Sequence, residues 1–189
     1  TDIMYIRLLN LFDLKLDDDE DKIKLISLAI QVKSFRAFLI VSDIESDYVR
    51  DDVKEMTKTV DEIMSMFIED DQNILYMAVK FKSEQILQFL LGFSESHPDH
   101  FTFDVWKEAV NIALQDENCK FLEILRSANF NVRKKHQQEH QEIQDCCLAK
   151  IAMIESFHAS IAAGNLSEVK EFVEDNADLK ICCDSEGIS

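Results

Sequence analysis

The sequence predicts an all-α protein, and three observations carry that expectation. Apolar residues recur at helical spacing through most of the chain. No sustained two-residue alternation is bounded by turn residues. Three glycines and one proline are the only strong punctuators in 189 residues. With 47% hydrophobic residues the chain can bury a sizeable core, yet its longest apolar runs fall far short of the ~20 residues that a membrane span needs. Twenty basic against 37 acidic side chains give a formal charge of −17. That balance argues against nucleic acid or an anionic bilayer as partner, because both need a cationic surface. Five cysteines, an odd number in a chain too large to depend on disulfides, predict reduced thiols and a cytoplasmic or nuclear setting.

The elements follow in order. "DLKLDDDEDK" alternates Asp17, Asp19 and Asp21 as a calcium loop does. Lys22 stands where that loop requires glycine, however, and Leu28 where it requires a closing glutamate. The acids are therefore read as a charged helix N-terminus, favourable to the dipole, for the run beginning at Ile23. "ISLAIQVKSFRAFLIV" (Ile26–Val41) comes next. Val49, Val53, Met56, Val60, Ile63 and Phe67 then form one stripe on a helix between Ser46 and Asp70. Shorter helices come in pairs: Ile74–Phe81 with Glu84–Leu91, then Val105–Leu114 with Cys119–Arg126. Between these pairs lies "FSESHPDHFTFD", broken by Pro98, with Asp104 expected to cap the following helix. In a long last segment Ile143, Cys147, Ile151, Ile154, Phe157 and Ile161 line one face. It ends at Ala163 and pairs with Ser167–Glu174.

The last pair, "HASIAAGNLSEVKEFVEDNADLK", turns at Gly164, where glycine takes a left-handed helix cap without strain. This stretch resembles an ankyrin repeat. His158 falls on the histidine of that family's TPLH start, and Gly164, Val169, Phe172, Val173, Ala177 and Asp178 fall on further signature positions. "NILYMAVKFKSEQILQFLL" (Asn73–Leu91) shares the frame, with Tyr76 for the histidine and Lys82 for the glycine. "NIALQDENCKFLEILRSANFNV" (Asn111–Val132) looks like a third copy and Ile26–Val41 like a first. The small residues Ala29, Ala78, Ala113 and Ser160 are 49, 35 and 47 apart, against a family period of about 33. The excess fits helices inserted between copies. None of the copies has the Thr-Pro pair, and only "DSEGIS" keeps a glycine hairpin, so short or missing fingers are expected.

The resemblance implies an irregular ankyrin-like helical solenoid of three to four helix pairs. Residues 1–72 would form an N-terminal helical region with a degenerate first repeat. Residues 73–189 would carry the repeats, with a helical insertion around 134–146. It also implies a protein–protein interaction module, not an enzyme, without cofactor, recognising its partner on the concave face. By position that face carries Lys80, Phe81, Gln115, Asp116, Ala162, Ala163, Glu186 and Ile188. "DSEGIS" matches the family hairpin D-x-x-G-x-T, which places further repeats after Ser189. The alternative is a cytoplasmic structural region of a larger channel or scaffold assembly.

A remoter alternative is a zinc-binding helical module. "HQQEH" matches the inverted zinc-protease pattern, and on a helix His136 and His140 share one face, with either Cys146 or Cys147 as the candidate third ligand. The polar flanks "RKK" and "QEIQD" read instead as a solvated helix without metal. Trp106, beside Phe101, Phe103 and Val105, is read as core.

Overall fold

The computed structural model describes residues 19–44, 53–69, 73–94, 101–116, 118–128 and 132–175. Every regular element among them is helical. The α-helices are α1 (Asp19–Gln31), α2 (Phe35–Val41), α3 (Val53–Glu69), α4 (Ile74–Lys80), α5 (Glu84–Leu91), α6 (Phe103–Gln115), α7 (Cys119–Arg126), α8 (Gln137–Ala162) and α9 (Leu166–Asp175). A 3₁₀ turn, Lys134–His136, leads into α8, so the segment around 134–146 runs without a break into the long helix.

Local chemistry explains where these helices begin. Asp19, Glu20 and Asp21 fill the first turn of α1, where carboxylates complement the exposed N–H groups. Ser34 caps α2, its hydroxyl accepting from the Ala37 N–H at 3.2 Å. Asn73 caps α4 by accepting from the Tyr76 N–H at 2.9 Å. Its amide also donates to the Val105 carbonyl at 3.0 Å and to Glu108 at 2.8 Å, which ties α4 to α6. Thr102, not Asp104, caps α6, accepting from the Val105 N–H at 3.4 Å. The shift has a packing cause. Phe103 is itself buried, so the helix must start early enough to turn it inward, and Asp104 is left as a first-turn acid.

Packing follows chain order. α1 with α2, α4 with α5, α6 with α7 and α8 with α9 form side-by-side pairs. First helices touch the next first helix, α1 on α4, α4 on α6 and α6 on α8; second helices do the same, α2 on α5 and α5 on α7. Helix α3 lies outside this scheme and packs on α1, burying Met56, Val60, Ile63, Met64 and Phe67, while Val49 lies outside the described residues. One apolar core runs from Ile23 to Ile151. Within it Trp106 is 2% exposed, and its Nε1 donates to the Leu125 carbonyl at 2.9 Å, locking α6 to α7. Ile154 and Phe157 are buried but outside that core; Phe157 meets Phe172 edge-on at 6.0 Å. The last pair thus has a small core of its own.

Candidate interaction surface

The turns inside the four pairs share one hydrogen-bond pattern. Five residues beyond a small helical residue, a backbone N–H donates back to its carbonyl: Ser34 to Ala29 at 3.0 Å, Ser83 to Ala78 at 2.8 Å, Asn118 to Ala113 at 3.1 Å and Asn165 to Ser160 at 3.0 Å. This is the closing bond of a Schellman helix end. The four acceptors are the same small residues that set a common frame in the sequence, and all are buried. Smallness here lets the paired helix approach. The residue before each donor takes a left-handed backbone, with φ of 57° at Lys33, 54° at Lys82 and 68° at Gly164. The fourth such residue, 117, lies outside the described residues.

This frame locates the expected surface residues. Lys80, Gln115 and Ala162 are the last residues of α4, α6 and α8; Phe81, Asp116 and Ala163 are the caps that follow. All are exposed except Phe81, which is half-buried against the core. Its ring is therefore partly spent on folding, with the Lys80 ammonium 5.9 Å from its centroid and 5.6 Å from that of Tyr76. Glu186 and Ile188 lie outside the described residues. Two positions that sequence reasoning missed complete the edge: Gln31 ends α1, and Val32 after it is 42% exposed. Counting from Ala29 as from Ala78 would have found them.

The first two turns adjoin. Lys33 and Lys82 line one groove of about 190 Å³ together with Ser83, Glu84, Gln85 and Ile86. Ser83 is buried, and its hydroxyl donates to the Ile30 carbonyl across the two pairs instead of capping α5. Glu84 pairs with Lys120 at 2.6 Å.

The "HQQEH" segment faces α6. His136 stacks on Phe103 with ring centroids 4.7 Å apart, and His140 lies 4.8 Å from Trp106. Glu139 forms an ion pair with Lys107 and reaches His136 Nδ1 at 3.8 Å; the Lys107 hydrogen bond holds its carboxyl below the usual range. Burial pushes His140 below an ordinary histidine. Burial also pushes the Cys147 thiol up to about 11, while its neighbour Cys146 is exposed. The segment is thus only half solvated, because both histidines share the face that carries Ile143 and Cys147 inward. Among the described residues no three His, Cys, Asp or Glu side chains are grouped to hold a metal ion.

No helix among the described residues is long and apolar enough to cross a membrane. No family model, curated protein or solved structure matches this chain.

Proposed function

We propose that the chain is an irregular ankyrin-like solenoid and a non-catalytic, cytoplasmic module that binds a protein along the edge formed by its turns. One observation carries the reading. Four hairpins end their first helix with the same closing bond, from Ser34, Ser83, Asn118 and Asn165, and the pairs pack in chain order. A stack of equivalent hairpins presents its turn residues in register, and such a surface suits extended recognition. Lys80, Gln115, Asp116, Ala162 and Ala163 stand exposed on it. In-cell photo-cross-linking tests this. A benzophenone side chain at position 80, 115 or 162 should capture the same partner protein. The same probe at Lys58, on the exposed face of α3, should not. Equal capture at all four positions, or none at the turns, overturns the assignment.

A second reading, a repeat array continuing beyond the last described pair within a larger assembly, has its own support. Ile30 and Val79, one residue after the small position, are 0% and 2% exposed and Leu114 is half-buried; Ile161, their equivalent, is 42% exposed. Phe38, Leu87 and Leu122 are fully buried where Val169 is only half-buried, and Leu166 nearby is 74% exposed. A further helix pair on this face would give those side chains the cover that the inner pairs have. If it does, Leu166→Lys is neutral in residues 1–189 but destabilises a longer chain carrying the natural sequence that follows. Equal neutrality in both chains refutes it.

A further inference from the structure

The edge is not electrically uniform. In a chain of charge −17, the first two turns carry Lys33, Lys80 and Lys82, all exposed. The third carries Asp116, and the fourth offers Ala162, Ala163 and Gly164. Lys80 is occupied over the Tyr76 and Phe81 rings. Lys33 and Lys82 form no ion pair among the described residues, and both border the same groove. The one acid lining it among the described residues, Glu84, is already paired with Lys120. An apolar floor is present in Ile86, and Val32 stands exposed at the first turn.

We propose that the groove between the first two turns receives an acidic segment of a partner protein, with carboxylates on Lys33 and Lys82 and an apolar side chain between them. The inference rests on the reading of the turns as a binding edge and narrows its partner class. Charge complementarity selects the occupant. The chain is acidic overall, and here two exposed lysines without an ion pair among the described residues border one groove with an apolar wall. An acidic segment is therefore attracted to it, and attraction of that kind sets encounter rate and register. An extended segment of about six residues spans ~20 Å, enough to cross two turns carried by helices about 10 Å apart.

The test titrates isotope-labelled protein with three synthetic peptides followed by amide chemical shifts. One alternates glutamate with a central leucine, one replaces every glutamate by glutamine, and one replaces every glutamate by lysine. Only the acidic peptide is expected to move the amides of Val32, Lys33, Lys82 and Gln85. Its affinity should fall about tenfold or more when salt rises from ~0.05 to ~0.5 M, where screening shortens from over 10 Å to a few ångströms. Lys33→Glu with Lys82→Glu should weaken it by about tenfold, while Lys170→Glu on α9 leaves it unchanged. The thermal midpoint of each variant is measured to show that it folds. If the glutamine peptide moves the same amides as strongly, the acidic assignment is overturned while the edge remains a binding surface. If the acidic peptide moves no turn amide at millimolar concentration, or Lys170→Glu weakens it equally, the groove assignment is overturned. Failure of the edge itself reads out separately, in the cross-linking at positions 80, 115 and 162.

Discussion

Lys82→Gly should stabilise the protein, although it removes a side chain and adds none. Lys82 holds φ at 54° in the turn between α4 and α5, the conformation that Gly164 takes at 68° in the last turn. An L-residue there pays about 1–2 kcal/mol in contact between Cβ and backbone. Glycine avoids that strain but loses about 0.5–1 kcal/mol more backbone entropy on folding. The difference leaves a gain of about 0.5–1 kcal/mol, and for a chain of this length the midpoint of melting should rise by roughly 1–4 °C. Urea denaturation followed by helical circular dichroism measures it. Lys82→Ala supplies the control, because it removes the same charge but keeps the Cβ, and should leave stability unchanged. The mirror experiment is Gly164→Ala. A Cβ built at Gly164 meets no atom within 4 Å, so its cost is backbone alone, about 0.5–1 kcal/mol of lost stability. Equal stabilities for Lys82→Gly and Lys82→Ala would refute the argument, because the strain relieved would then be no larger than the backbone entropy that glycine loses.

Other outcomes follow from single contacts. Trp106→Phe removes the indole bond to the Leu125 carbonyl, which keeps only the 3.3 Å bond from the Ala128 N–H, and should cost about 0.5–1.5 kcal/mol in urea denaturation. Ser83→Ala removes the hydroxyl that joins the second turn to the Ile30 carbonyl and should cost about 1 kcal/mol, against no effect for Ser167→Ala on the exposed start of α9. Burial lowers the folded-state affinity of His140 for a proton, so the unfolded chain binds more protons near its ordinary value of 6.5. The stability it contributes is complete above that value and is lost as pH falls through the lower folded value. Emission from Trp106, whose ring lies 4.8 Å from that of His140, should change across the same window, and His140→Phe should abolish the change. Cys146 should react with a thiol reagent in the folded protein. Cys147, buried and pushed up to about 11, should react only on unfolding.

The fold was legible where periodicity and punctuation agree. Paired helices follow from stripes such as Ile86, Leu87, Leu90 and Leu91, each opposed by polar faces, and their termini fall within two residues of the spacing argument. Asp104 was misread because Asp, Thr and Ser are chemically interchangeable as caps, and only the burial of Phe103 selects Thr102. The half-buried state of the two histidines was not legible either. Polar flanks describe the outer faces of a helix, whereas His136 and His140 sit on the inner one, and the partners that cover them, Phe103 and Trp106, are some 30 residues away in the chain.

The candidate edge was readable at Lys80, Gln115 and Ala162 but not at Lys33, for a physical reason. A motif search treats lysine at the glycine position as a failure of the repeat. The backbone requirement there is only a left-handed residue that points outward, and an exposed lysine can satisfy it at a cost of about 1–2 kcal/mol. Two of the three described left-handed positions in these turns make that substitution, Lys33 and Lys82, and they are the two that face one groove. A strain of that size, tolerated twice at neighbouring turns, is what a binding role for the ammonium groups would require. It ties the two experiments together. If Lys82→Gly stabilises the fold while removing a charge from the groove, stability and binding are opposed at that residue. An acidic peptide that holds the wild-type protein but not the stabilised variant would show that opposition directly. A variant that is both more stable and equally well bound would mean that lysine stands in the turn for no reason connected with recognition.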